Sequence, residues 1–360
     1  MSEFKPGLEG IVAFETEIAE PDRDGGALRY RGVDIEDLVG MVPFEKVWGL
    51  LVDDAPEPGL RPATRYVARD LTGNAPSDLQ AATARLAGEW GLGQLIDIAD
   101  DEAHDDLARL SATMISIVAQ SARHADGLET PVDSELVATG STAAERFLLE
   151  WRGEADPRHV QAIDAYWICT AEHGLNASTF TARVVASTGA DCAASLASAV
   201  GALSGPLHGG APARVLPMLD GAAAADSIGD YVSELLDAGG RLMGFGHRVY
   251  RAEDPRSRLL RRTALSLGSP RFDVAEELER AALEELHARK PDRVLATNVE
   301  FWSAVVLDVA DIPAKLAPAM FACSRTAGWS AHILEQKRLG RLVRPSAIYV
   351  GPGPRPLPVA

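Results

Sequence analysis

Three cysteines in 360 residues, Cys169, Cys192 and Cys323, form no CxxC pair. That excludes a disulfide scaffold and a cysteine-built zinc cluster, and it fits a cytoplasmic location. Basic charge is also scarce: 35 Lys+Arg against 52 Asp+Glu give a formal net charge of -17. Nucleic acid and anionic membrane both need a basic footprint, so neither is expected as a partner. No apolar run is long enough to cross a bilayer. Met1–Pro6 has no basic stretch leading into an apolar one, so no export signal is read there. Several motifs are missing as well. There is no GxxxxGK[ST], no GxGxxG after a strand and no GxSxG, which argues against a P-loop, a dinucleotide fold and a serine hydrolase. His173, His208, His247 and His332 lack HxxxH or HExxH spacing, so no metal is expected.

What is present is ordinary for a soluble globular chain: 46% hydrophobic and 24% charged residues. The length allows one large domain or two unequal ones. Apolar residues recur at three- and four-residue spacing over 78–90 and 106–122, which predicts helices there. The acidic run 97–102 reads as a solvated face. Further helices are expected over 43–51, 225–236, 255–267, 273–290, through 309 and over 318–337. A long helix over 158–190 breaks and restarts around Gly174. Asp34, Asp191 and Asp273 are placed to cap helices. The helix from Asp191 to Leu203 is almost wholly Ala, Ser, Val and Leu, which predicts close helix–helix packing. Residues 11–16 read as a short strand. Strand-like runs are few and do not alternate with helices, so the expected class is all-α.

The chemistry concentrates between Gly205 and Arg256. That stretch opens with Gly205-Pro206-Leu207-His208-Gly209-Gly210. It closes with Gly244-Phe245-Gly246-His247-Arg248-Val249-Tyr250-Arg251, then Asp254-Pro255-Arg256. Each histidine stands among glycines, where backbone can approach a ligand closely. The arginines can hold a carboxylate or phosphate in a two-point fork. Two histidines for proton handling beside arginines for anions point to an enzyme acting on an anionic carbonyl substrate. Asn298-Val299-Glu300-Phe301-Trp302-Ser303 adds a carboxylate source.

In that order these segments resemble the citrate synthase family. So do Leu28–Gly32, Glu172-His173 with Asn176–Phe180, Ser324–His332, and Arg344-Pro345-Ser346. The resemblance covers most of the chain and is weakest over 60–150. It implies an all-α fold with a large domain, residues 1–209 and 312–360, and a small domain, 210–311, that closes over the substrates. It also implies a homodimer with a shared active site. No cofactor is implied, because acetyl-CoA is a co-substrate. The implied reaction joins acetyl-CoA to oxaloacetate and then hydrolyses citryl-CoA.

Carried over by resemblance, His208 donates to the thioester oxygen, Glu300 is the base, and His247 protonates the ketone. His173, Arg256, Arg325 and a partner's Arg344 hold the oxaloacetate carboxylates. Gly244, Phe245, Gly246 and Arg251 lie on the CoA side. A thioester methyl is a very weak acid, so its deprotonation needs both a close base and a donor on the oxygen. A neutral His208 would serve, and a nearby helix N-terminus would favour that form. The usual base of the family is an aspartate, in a segment like Asn-Val-Asp-Phe-Tyr-Ser; here Glu300 and Trp302 stand instead. Two other readings go with that departure. One is a 2-methylcitrate synthase using propionyl-CoA, and the other is a weakly active paralogue that binds citrate or CoA as a sensor.

Overall fold

The protein is described from a computed structural model covering residues 4–8, 10–22, 26–128, 130–206, 208, 214–246, 253–292 and 295–355. Three short strands open the chain: β1 (Ala19–Asp22), β2 (Ala27–Tyr30) and β3 (Val33–Asp34). They form an antiparallel sheet in the order β1-β2-β3, with Ala19 opposite Tyr30 and Arg29 opposite Asp34. Among the described residues, every named element after it is a helix. The first helices are α1 (Phe44–Asp53), α2 (Ala75–Trp90), α3 (Asp100–Ala125), α4 (Ser134–Ala138) and α5 (Ala143–Arg152). Next come α6 (Pro157–Thr170), α7 (Ala177–Ala186), α8 (Cys192–Leu203), α9 (Val215–Ala224) and α10 (Ile228–Asp237). The last are α11 (Pro255–Ser266), α12 (Phe272–Arg289), α13 (Val299–Val309) and α14 (Ala317–Leu339).

Local chemistry explains most of the helix starts. Asn176, Asp191, Asp254 and Asn298 each accept a backbone N–H of the turn they open, satisfying donors that the helix itself leaves free. Pro157 and Pro255 occupy the first helical position, where a missing N–H costs nothing.

α14 is the central element. It packs on α1, α3, α6, α7 and α8. Because neighbours surround it, its apolar residues form no stripe, and even Ser324, Arg325, Thr326, Ser330 and His332 are buried. α11 and α13 pack on each other and on α6. α9, α10 and α12 pack on one another; α9 meets α13, and Arg261 of α11 pairs with Glu276 and Glu279 of α12. The small residues of α8 let it lie against both α7 and α2, as its composition predicts.

Several sequence expectations need correction. Residues 11–16 form no strand; Phe14 instead packs its ring on Phe180, 6.2 Å away. Asp34 caps only a single 3-10 turn, Ile35–Asp37. The acidic run is not merely a solvated face. It becomes the first turn of α3, where carboxylates suit the helix dipole, and Asp100 pairs with Lys337 and Arg338. The expected helix over 225–236 starts at Ile228 behind Ser227, and α9 precedes it. α12 begins at Phe272, so Asp273 lies inside its first turn and makes no cap.

Candidate active site

Two helix N-termini organise the candidate site. At the first, Asn176 Oδ1 accepts from the N–H groups of Ser178 (3.2 Å) and Thr179 (3.1 Å). The Ser178 N–H also points to His208 Nε2 at 3.4 Å, and Ser178 Oγ lies 3.0 Å from the same nitrogen. A backbone N–H can only donate, so Nε2 carries the lone pair and the ring proton sits on Nδ1. Trp329 Nε1–H donates to Ser178 Oγ at 3.2 Å and steadies the hydroxyl. Burial, with Arg325 nearby, pushes the His208 pKa down to about 4. The positive end of α7 acts in the same direction. His208 is therefore a neutral imidazole at neutral pH, with Nδ1–H as its donor.

The second N-terminus is that of α13. Asn298 Oδ1 accepts from the Glu300 N–H at 2.9 Å. The same asparagine stitches the 244–246 segment to the helix. Its backbone N–H donates to Gly244 O (2.9 Å) and its Nδ2 to Gly246 O (2.9 Å). Gly246 N–H returns a bond to Ala296 O at 2.7 Å. Gly244 must be glycine: its φ is +87°, and a Cβ there would sit 2.6 Å from Phe301 Cβ. Phe245 packs on Phe301, with ring centroids 5.3 Å apart. The next residues, His247 to Ala252, include the sequence candidates His247 and Arg251; these lie outside the described residues. Burial pushes the Glu300 carboxyl up to about 7, opposed by Arg256 and assisted by Asp254.

Arg256 is buried in a two-point fork with Asp254, Nε to Oδ1 at 2.9 Å and Nη2 to Oδ2 at 2.8 Å. Asp254 Oδ2 also accepts the Val299 N–H at 3.0 Å. One carboxylate thus caps α11, meets the start of α13 and fixes Arg256. Arg325 is 1% exposed, with Nε donating to Thr170 O at 2.9 Å and Nη1 buried without a partner. Arg325 helps keep His208 neutral, Arg256 opposes the charge on Arg325, and Arg256 favours ionised Glu300. These mutual influences gather His208, Arg256, Glu300 and Arg325 into one electrostatic cluster. His173 is half-buried in the break between α6 and α7, directly before the Asn176 cap.

The family model described as citrate synthase, C-terminal domain, matches residues 7–346. The chain belongs to the citrate synthase family. It is 62% identical over 354 residues to the putative citrate synthase 2 of Mycobacterium tuberculosis, covering 98% of this chain and 94% of that one. It is 31% identical to the 2-methylcitrate synthase of Shewanella oneidensis, covering 98% and 97%. Among solved structures, the citrate synthase of Thermoplasma acidophilum in ternary complex with carboxymethyl coenzyme A and oxaloacetate superposes with a TM-score of 0.84 at 27% identity, covering 98% and 97%.

Arg344 is not brought to the cluster within one chain. It is exposed on the extended tail, whose Val343 N–H donates to Ser187 Oγ at the far end of α7. The ten residues of α7 span about 15 Å, so the tail docks well away from His208. Trp302 does not face the cluster chemistry either. It is buried against Phe272, and its Nε1–H donates to Glu279 Oε1 at 3.0 Å. Sequence reasoning missed the supporting groups Ser178, Asp254 and Glu172. Asp254 was legible, since Asp-Pro is a helix-start signal that leaves a carboxylate beside the next arginine.

Proposed function

We propose that the protein condenses an acyl-CoA thioester with oxaloacetate, and that acetyl-CoA gives citrate. Glu300 takes a proton from the thioester methyl while the Nδ1–H of His208 donates to the thioester oxygen. The enol carbon then attacks the ketone carbon of oxaloacetate. His247 protonates the ketone oxygen, a role that rests on the family motif. Water hydrolyses the resulting citryl-CoA and releases CoA. His173, Arg256, Arg325 and Arg344 of the partner subunit bind the carboxylates, which makes the site a product of dimerisation. Gly244, Phe245, Gly246 and Arg251 line the CoA side. The mutual packing of α9, α10 and α12 supports a small domain over 210–311, with 1–209 and 312–360 as the large domain.

The observation that carries this reading is the seating of His208 Nε2 on the N-terminus of α7. It leaves a neutral donor at a site where charge develops on oxygen. A glutamate near 7 is in the range where a general base works best at neutral pH, which favours an enzyme over a binding-only paralogue. Oxaloacetate-dependent release of CoA thiol from acetyl-CoA tests it. Absence of release from folded protein with both substrates present refutes it. Similarity to a 2-methylcitrate synthase favours propionyl-CoA as the second reading. The ratio of kcat/KM for the two thioesters decides, because one methylene discriminates only about 10–200-fold.

A further inference from the structure

α14 reads the turn before His173 one residue at a time. Arg325, Gly328 and His332 lie on one face of the helix at i, i+3 and i+7. Arg325 Nε donates to Thr170 O at 2.9 Å. Gly328 N–H donates to Ala171 O at 3.2 Å. His332 Nε2 stands 3.4 Å from Glu172 Oε1. A Cβ on Gly328 would lie 2.0 Å from Glu172 Oε2, so glycine is needed for the carboxylate to lodge there.

The state of His332 follows from its other side. Arg183 Nη1 lies 2.9 Å from His332 Nδ1, and a guanidinium only donates. Nδ1 therefore accepts, and Nε2 carries the proton that faces Glu172. Arg183 is itself fully buried and held by Gln336 Oε1 at 3.1 Å and by Glu335. Glu172 is completely buried, and neither oxygen has a hydrogen bond of normal geometry. Three residues before Gly328, about 4.5 Å along α14, Arg325 holds its Nη1 group buried and unpartnered. Glu172 is the charge that acts most strongly on Arg325. A buried carboxylate and a buried guanidinium with a spare donor thus face the same turn without a hydrogen bond between them.

We propose that His332 is a positioning residue: it holds the Glu172 carboxylate away from Arg325, so that Arg325 Nη1 remains open for a carboxylate of the substrate. This rests on the proposed use of oxaloacetate. Without the His332 N–H beside it, the carboxylate swings to Arg325, where it competes with substrate from inside the protein. A charged group left alone in the interior is driven to such a partner by the hydration it has lost.

Three variants test the clamp, with oxaloacetate affinity read both from KM and by calorimetry. His332→Leu raises oxaloacetate KM about tenfold, the equivalent of one lost charge-assisted contact, while the KM for acetyl-CoA stays within a factor of about two. Adding Glu172→Gln to His332→Leu removes the competitor and returns oxaloacetate KM to near the wild-type value. A double variant as weak as His332→Leu alone, or an equal rise in both KM values, overturns the proposal. If His332→Leu does not fold, Glu172→Gln alone decides. Its oxaloacetate KM stays at or below that of the wild type, and a rise above about threefold overturns the proposal, since that is close to a lost neutral hydrogen bond. Wild-type protein that binds oxaloacetate without turnover refutes the proposed reaction and leaves the clamp to be judged by calorimetry.

Discussion

Arg256 and Arg325 are both buried at the candidate site, yet they are held in opposite ways. Arg256 is forked by a carboxylate two residues away, within one helix start. Arg325 is held by a carbonyl 155 residues away and keeps a donor free. The first arrangement is a local ion pair that also joins α11 to α13. The second is a long-range arrangement whose counter-charge, Glu172, is kept out of contact. An arginine with spare donors is poised for a ligand carboxylate. An arginine already saturated on one edge contributes charge and rigidity first. The contrast assigns different costs to breaking each one.

The largest effect is expected at Glu300, the proposed base, whose ionised form Arg256 favours. Glu300→Gln keeps the size and removes the proton acceptor, so kcat in the thiol-release assay falls about 10^2–10^4-fold while the protein stays folded. Next comes the local pair. Asp254→Asn removes the charge from the fork on Arg256 and costs up to about 3–5 kcal/mol of stability, the range for broken buried pairs. Glu172→Gln costs less, because Glu172 makes no hydrogen bond of normal geometry. Thermal denaturation of the two variants side by side checks the order, and equal losses would erase the contrast drawn above.

The third expectation concerns pH. The Glu300 carboxyl titrates at about 7, so the ionised base exists above that pH and is lost as pH falls. His208, at about 4, stays neutral throughout that window and adds no limb there. kcat/KM for the acyl-CoA therefore drops about tenfold per unit below pH 7, the ordinary limb of a single base. A profile flat from pH 7 down to 5 contradicts Glu300 as that base. The smallest effect belongs to Ser178→Ala. It removes the hydroxyl beside His208 but leaves the backbone N–H that sets the tautomer. A loss of about 1 kcal/mol, roughly fivefold in kcat, is expected from one such hydrogen bond.

Much of the site was legible because its chemistry is written in short segments. Gly-Phe-Gly, Asp-Pro-Arg and Asn-Val-Glu each carry their own backbone logic: a tight approach, a helix start and a cap. The breaks around Gly174 and Gly205 were legible for the same reason. The quiet region from 60 to 157 was less so. α4 and α5 were not anticipated there, and α2 and α3 extend beyond the ranges that their apolar spacing suggested. The extended piece read from Gly26 up to Asp34 is there as β2 and β3, whereas the strand expected over 11–16 is not, and β1, four residues long, has too short a period to stand out.

The sequence by itself determined the helical class and several helix starts, because caps form between residues within a few positions of each other; the Asp254–Arg256 fork obeys the same local rule, though its role was not read there. Only the tertiary structure decided which nitrogen of His208 carries the proton, which face of α14 meets the turn at 170–172, and that Glu172 stands between His332 and Arg325. Those features depend on groups more than a hundred residues apart in sequence for α14, and on a separate helix N-terminus for His208. Packing must bring them together before their charges and protons can act on one another.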